Sequence, residues 1–219
     1  MKKIYYFEEI FKILKKELKN YKSPVLSEQK WKKTPFTSLI SCLLSLRTKD
    51  NVTEKAAIKL FEKYDIPEKL AYAKVKDIEL LIFPVGFYHI KARRIKEISK
   101  TLIDKYNGKV PNDFNELLKF KGVGRKTANI VMTYGFNKKI FLPIDTHCNR
   151  IPNRIGWIKT KTPKETEQQI KKILPQKYWY DFNNLFVQFG QTICLPISPF
   201  CTKCPINNYC KKIGVNTNR

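Results

Sequence analysis

The chain has no apolar run long enough to cross a membrane, because its hydrophobic stretches fall well short of the roughly 20 residues that a spanning helix needs. The segment from Met1 to Asn20 is rich in lysine, and it has neither an uninterrupted apolar core nor a small-residue cleavage site, so we do not interpret it as a secretory signal. We therefore expect no membrane association and an intracellular, cytoplasmic location, where thiols stay reduced.

The period-2 alternation of exposed strands is also missing, as are internal repeats and low-complexity segments. Helical spacing is present instead: Leu14 and Leu18 end the apolar face of a first helix, and Phe182, Phe186 and Phe189 mark the last long one. Asp50 is expected to cap a further helix. With 219 residues, 42% of them hydrophobic, the chain can form one or two domains. The sequence predicts an all-α fold.

Acidic residues are scarce. Against 43 Lys and Arg there are 19 Asp and Glu, which gives a formal net charge of +24 at pH 7. A surplus of this size is self-repelling unless a polyanion neutralises it, so nucleic acid is the default partner. A generally basic surface, or lysine enrichment in a biased genome, is the alternative explanation of the charge.

Glycine is also sparse, and two of the eight glycines, Gly122 and Gly124, lie two positions apart between helical patterns. Glycines in such a turn let the backbone approach a partner closely, and their amide groups can point outward as anion donors. Lys126 then opens the next helix, where the positive end of the helix dipole disfavours its charged form. A lysine that readily loses its proton can act as a nucleophile.

Four of the six cysteines, Cys194, Cys201, Cys204 and Cys210, have the spacing C-x6-C-x2-C-x5-C. Thiolates this close together need a cation or cluster between them. Structural zinc prefers two paired C-x2-C knuckles, whereas one C-x2-C flanked by longer loops suits a [4Fe–4S] cluster. Iron–sulfur is the favoured interpretation, and zinc or unliganded thiols remain open. Cys42 and Cys148 are expected to be buried spacers.

These motifs occur together in one known family. The run from Phe120 to Asn129 (FKGVGRKTAN), the run Ile144–His147 (IDTH) and the four-cysteine pattern resemble endonuclease III, a helix-hairpin-helix DNA glycosylase with an iron–sulfur cluster. The resemblance covers about residues 23–211. It implies a bifunctional enzyme of base excision repair. Such an enzyme removes damaged bases, here oxidised pyrimidines, and cleaves the strand 3′ to the abasic site by β-elimination.

The resemblance also implies a role for individual residues. The family's lysine nucleophile falls on Lys126 and its catalytic aspartate on Asp145. Its residues that fill the gap left by a flipped base fall near Arg47 and Phe87, where the bacterial enzyme carries glutamine and leucine. The DNA-binding hairpin maps to Lys121, Gly122, Val123, Gly124 and Arg125. The four clustered cysteines would hold a [4Fe–4S] cluster.

The family's architecture predicts two helical domains with the active site in the cleft between them. One domain spans residues 24–136 and holds the hairpin, 121–125. The other combines residues 1–23 with 137–219 and carries the iron–sulfur loop, 194–210. The expected partner is double-stranded DNA with damaged bases or abasic sites, bound by a monomer at the nucleoid.

Two alternatives stay open. The first is a monofunctional mismatch glycosylase of the same superfamily, which removes thymine or adenine. Those relatives usually lack a lysine at the place of Lys126, which argues against them. The second is a non-catalytic DNA-binding module that uses the hairpin and a zinc knuckle. Lys126 and Asp145 together argue against it, because binding alone needs neither residue.

Overall fold

The computed structural model describes residues 5–26 and 30–219, and the predictions that include residues 1–4 and 27–29 lie in part outside the described residues. Within these ranges the chain forms helices and no strand, which confirms the all-α prediction. The chain divides into two compact units: residues Val25–Phe141, and the segment through Pro24 together with Leu142–Arg219. None of the described helices is long and apolar enough to cross a membrane.

The unit Val25–Phe141 surrounds one buried helix, α2. Thr34 and Thr37 form a capping box at its start, with the Thr37 amide 3.1 Å from the Thr34 hydroxyl, and Pro35 is the first helical residue. The nine residues from Phe36 to Leu44 are all buried, so α2 is the centre of this core. The α-helices of the unit are α2 Pro35–Ser45, α3 Asp50–Lys63, α4 Pro67–Tyr72, α5 Val75–Ile82, α6 Tyr88–Tyr106, α7 Phe114–Leu118 and α8 Arg125–Ile130, and a π-helical segment, Val131–Gly135, follows α8 directly.

The expected cap at Asp50 is wrong. Helix α3 begins at Asp50, Lys49 is the N-cap residue, and the cap makes no side-chain hydrogen bond. The Asp50 carboxylate instead lies 3.5 Å from the amide of Val25, which is distant in sequence. The local pattern predicted that the Asp50 side chain caps the helix, whereas in the structure this side chain contacts a residue distant in sequence.

The second unit contains the first helix and the C-terminal helices, and aromatic side chains of the first and last long helices pack in its core. Phe182 stacks on Phe186 with ring centroids 4.3 Å apart, and Phe11 of the first helix lies 5.9 Å from Phe186. The predicted apolar faces of the first and last long helices are therefore confirmed. The helices are α1 Phe7–Glu17, α9 Thr146–Ile155, α10 Pro163–Ile173 and α11 Trp179–Thr192, followed by a loop that contains the clustered cysteines.

Candidate functional site

The two predicted hairpin helices are α7 and α8. Asp113 starts α7 by accepting hydrogen bonds from the amides of Asn115 at 2.8 Å and Glu116 at 2.9 Å. The turn that follows is closed by the amide of Val123, which donates to the carbonyl of Phe120 at 3.0 Å. The side chains of Val123 and Phe120 are buried in the core of their unit. Their burial fixes the turn against the helices.

The two glycines of the turn serve different purposes. Gly122 has a φ of +87°, and a Cβ atom there would lie 2.6 Å from Nη1 of Arg94, a residue of α6. Gly124 has an ordinary φ of −95° and is the N-cap of α8, and a Cβ there would meet no atom within 4 Å. Gly122 is therefore required by the fold, whereas the missing side chain at Gly124 leaves open space above the backbone.

We expect Gly124→Ala to weaken binding to duplex DNA by about tenfold, because the new methyl group would occupy the space through which a phosphate approaches the backbone. Its free energy of unfolding should fall by no more than about 1 kcal/mol, since alanine is a poorer N-cap than glycine. Fluorescence anisotropy with an undamaged duplex, measured at several salt concentrations, checks the binding.

Gly122→Ala provides the comparison. It should lower the free energy of unfolding by about 1–2 kcal/mol, because alanine resists the left-handed backbone. If Gly124→Ala binds the duplex as tightly as the unsubstituted protein, the open space at Gly124 is not used by DNA.

Basic side chains surround this turn. Lys121, Arg125 and Lys126 are exposed, and the Arg125 guanidinium lies 5.1 Å from the centre of the Phe114 ring. Lys126 is the second residue of α8, so it lies in the first turn of that helix. The Lys126 charge also acts on the buried thiol of Cys42 in α2. Burial raises the pKa of that thiol to about 12, and Lys126 offsets part of the rise.

The structure brings Arg47 and Phe87 together, although they are forty residues apart in the sequence. Arg47 follows α2, Phe87 precedes α6, and the Arg47 guanidinium lies 5.8 Å from the centre of the Phe87 ring. Both side chains are exposed, with Phe87 58% accessible. Both backbones are left-handed, with φ values of 53° and 59°. Non-glycine residues hold this conformation only where their surroundings enforce it.

A buried lysine and a shared hydroxyl hold the loops that carry these two residues. The Lys91 ammonium, on α6, donates to the carbonyls of Leu44 at 2.8 Å and Leu46 at 2.6 Å and to the Thr48 hydroxyl at 3.2 Å. The amide of Gly86 donates to the same hydroxyl at 3.2 Å. Burial, together with the charge of Arg94, lowers the pKa of Lys91 to about 8.

Asp145, in the other unit, is the N-cap of α9. Its side chain is 8% exposed, and one carboxylate oxygen accepts a hydrogen bond from the amide of Cys148 at 2.8 Å. The segment before it is held by Asn183 of α11, which donates to the carbonyl of Pro143 at 3.1 Å. Cys148 is fully buried, as predicted. The capping bond uses one carboxylate oxygen, Oδ1.

The four clustered cysteines line one cavity in the same unit, and they are free thiols rather than disulfides. The guanidinium of Arg154, a buried residue of α9, donates to the Cys194 sulfur at 3.4 Å and to the carbonyls of Leu195 and Pro196, each at 2.6 Å. In the described residues, no three His, Cys, Asp or Glu side chains are grouped so as to hold a single metal ion. The rest of the cavity wall is mainly apolar and includes Ile151, Ile155, Phe189, Ile193, Pro199, Phe200 and Ile206.

Comparison with known proteins identifies the family. The pattern of the HhH-GPD superfamily of base excision DNA repair proteins matches residues 40–176. Endonuclease III from Thermotoga maritima is 53% identical over 177 residues, which make up 81% of this chain and 83% of that protein. The chain belongs to the endonuclease III family. The resemblance seen in the sequence motifs is thereby confirmed.

Solved structures agree with this membership. A trapped covalent intermediate of endonuclease III with DNA matches with a TM-score of 0.80 at 34% identity, covering 94% of this chain and 95% of that one. A thermostable thymine-DNA glycosylase has a TM-score of 0.81 at 25% identity, covering 94% of each chain. The fold is thus common to endonuclease III and to a thymine-DNA glycosylase, so the fold alone does not decide the activity, which depends on particular residues.

The sequence motifs did not reveal several residues that support the candidate site of this endonuclease III family member. Lys91, Arg94 and Arg154 looked like ordinary members of a lysine- and arginine-rich chain. Lys91 and Arg154 are buried and Arg94 is half-buried, and each contacts a loop distant in sequence. The one signal in the sequence was that these basic residues stand among the apolar residues of a helix. That signal is weak evidence of burial, because a long basic side chain can extend from such a position to solvent.

Proposed function

We propose that this protein is a DNA glycosylase and abasic-site lyase of base excision repair. It removes oxidised pyrimidines from double-stranded DNA and cleaves the strand 3′ to the abasic site. The observation that carries the proposal is a lysine at the exposed start of α8, immediately after the glycine turn, in a chain of the endonuclease III family. The protein is proposed to act as a monomer in the cytoplasm, at the nucleoid.

In the proposed reaction, Lys126 attacks C1′ of the damaged nucleotide as a neutral amine. The bond from C1′ to the lysine nitrogen forms as the bond from C1′ to the base breaks, and the base leaves with the electron pair. Asp145 takes up the amine proton and stabilises the positive charge that develops on the sugar. The sugar ring then opens: the bond from C1′ to O4′ breaks as the nitrogen lone pair forms the imine, and O4′ takes the proton that Asp145 held. The imine acidifies a C2′ proton, and removal of that proton expels the 3′ phosphate and cleaves the strand.

Base flipping precedes this chemistry, and it costs a few kcal/mol, least for a damaged base that stacks poorly. Phe87 can stack in the vacated space, and Arg47 can donate hydrogen bonds to the orphaned partner base. The hairpin residues Lys121–Arg125 would hold the phosphate backbone through amide groups and positive charge. Exposure of Arg47 and Phe87 and the open space at Gly124 support these roles.

A panel of duplexes tests the function. Each carries one lesion, such as thymine glycol, uracil, a G·T mispair or a preformed abasic site, and each is assayed with and without alkaline workup. We expect cleavage of the thymine glycol and abasic duplexes without alkali. Cleavage of the G·T duplex alone, and only after alkali, would instead identify a mismatch glycosylase without lyase activity.

We further propose that Cys194, Cys201, Cys204 and Cys210 hold a [4Fe–4S] cluster. The residues present fit this group: four free thiols share one largely apolar cavity, and the Arg154 guanidinium donates to a ligand sulfur. The bound cluster would cross-link the loop 194–210 and so present Lys203 and the adjacent Lys211 and Lys212 to DNA.

The purified protein should be brown, with broad visible absorption and about four irons and four sulfides per chain, as a cubane cluster requires. Cys201→Ser should lose the colour and most of the iron. Cys42→Ala is the control and should keep both, because Cys42 is buried in the other unit. A colourless protein with one zinc per chain contradicts the cluster.

A further inference from the structure

One buried cation in the unit Val25–Phe141 donates its hydrogen bonds to oxygen atoms of the backbone and of a hydroxyl rather than to a carboxylate. Lys91 is 6% exposed, and its ammonium contacts the carbonyls of Leu44 and Leu46 and the hydroxyl of Thr48. An ammonium has three donors, and the loop presents three acceptors. Leu44 lies in the last turn of α2, where unpaired carbonyls attract a cation. The contacts bracket Arg47 on both sides.

The same network extends to Phe87. The Thr48 hydroxyl accepts from Lys91 and from the amide of Gly86, the residue before Phe87. A Cβ at Gly86 would lie 2.8 Å from the carbonyl oxygen of Arg47, so only glycine lets the two loops come this close. The backbones that carry Arg47 and Phe87 are therefore joined through one hydroxyl, and Lys91 anchors that hydroxyl to α6.

Burying an ammonium is costly unless its donors are used, and left-handed backbones persist only where neighbouring groups enforce them. The buried ammonium and the left-handed backbones occur together at the two loops that carry Arg47 and Phe87. The three bonds of Lys91 go to the end of α2 and to the loop that projects Arg47 into solvent.

We propose that Lys91 is a positioning residue for base extrusion, which holds Arg47 and Phe87 in one fixed arrangement so that the pair enters the duplex as a unit. The proposal rests on the proposed glycosylase function and on the gap-filling roles of these two residues. Lys91 itself touches neither the base nor the sugar; it acts through the loops that it fixes.

Lys91→Met removes the ammonium and keeps the aliphatic stem. The matched control is Lys96→Met, because Lys96 lies on the same helix and also donates to a backbone carbonyl, that of Ala73 at 2.5 Å. Each substitution is made in the unsubstituted protein and in Arg47→Ala/Phe87→Ala. Single-turnover excision of thymine glycol measures extrusion plus chemistry, and borohydride trapping on a preformed abasic site measures the amine chemistry alone.

We expect Lys91→Met to slow excision roughly tenfold in the unsubstituted protein but less than about twofold in the Arg47→Ala/Phe87→Ala background, since coupled residues are not additive. Trapping should change less than about threefold, and Lys96→Met should change neither rate by more than about twofold, as expected for a site without shared partners. Fluorescence of 2-aminopurine opposite the lesion should show a base that is less displaced in Lys91→Met.

Equal slowing in both backgrounds, or the same slowing by Lys96→Met, overturns the proposal, because either result indicates a general loss of structure. So does an Arg47→Ala/Phe87→Ala protein with unchanged excision. If Lys91→Met fails to fold, Thr48→Val removes the shared acceptor and is judged by the same criteria. Absence of excision and trapping in the unsubstituted protein is a different failure, that of the proposed function.

Discussion

Lys126→Ala is expected to abolish the covalent adduct that borohydride traps on DNA with an abasic site, and to lower excision of thymine glycol by at least about 10³-fold. The reason is that, in the proposed reaction, the lysine nitrogen forms the bond to C1′, and the loss of a covalent nucleophile removes the reaction path itself. The fold should be unaffected, because the Lys126 side chain is exposed. Denaturing gels of the trapped adduct and single-turnover kinetics are the measurements.

Lys164→Ala is the matched control. Lys164 is also exposed, and it is likewise the second residue of a helix, α10, so it shares the helix-terminal environment without the glycine turn. Its adduct and rate should equal those of the unsubstituted protein. An adduct of full intensity in Lys126→Ala would show that another amine is the nucleophile.

Asp145→Asn should lower turnover by about 10²- to 10⁴-fold while DNA binding is kept, because an amide can neither take up the amine proton nor stabilise positive charge on the sugar. Asparagine caps helices as well as aspartate, so the free energy of unfolding should hardly change. The substitution therefore separates the observed cap from the proposed catalytic role: the cap on the Cys148 amide is retained and the proposed proton acceptor is lost. Single-turnover kinetics and thermal unfolding measure the two effects.

Two further variants complete this test. Asp145→Ala should lose activity and also about 1 kcal/mol of stability, the usual value of an N-cap. Asp113→Asn changes a capping aspartate at the start of α7 and should leave turnover unchanged. If Asp145→Asn turns over at the unsubstituted rate, Asp145 is only a helix cap.

Local patterns in the sequence predicted much of the fold, because they depend on residues close together in the chain. The helical spacing of Phe182, Phe186 and Phe189 predicted the buried face of α11, and these residues are buried. The turn before α8 was predicted from two glycines, and Gly122 has the left-handed backbone that explains one of them. Asp50 was the failure: a cap pattern indicates a helix start, but the side chain contacts Val25 instead.

The local patterns that predicted the fold did not predict how the residues of the candidate site are brought together. Arg47 and Phe87 came from the resemblance to endonuclease III, and no periodicity in the chain connects two loops so far apart. The structure brings the Arg47 guanidinium to 5.8 Å from the centre of the Phe87 ring, and Lys91 bonds to the Arg47 loop through acceptors 45 and 47 residues away. From the sequence alone, a basic residue on a helix is interpreted as solvent-exposed, because the residues that surround it in space are not known.

The sequence by itself determined the family and the groups available for chemistry, because Lys126 with its glycine turn, Asp145 in its short motif and the four cysteines are each encoded within a few positions. Only the tertiary structure decided how these groups are supported. Arg154 bonds to Cys194 across 40 residues, Arg94 covers Gly122, and Lys91 fixes the loops of Arg47 and Phe87. The physical reason is burial: a long cation leaves water only where distant segments supply its hydrogen-bond partners.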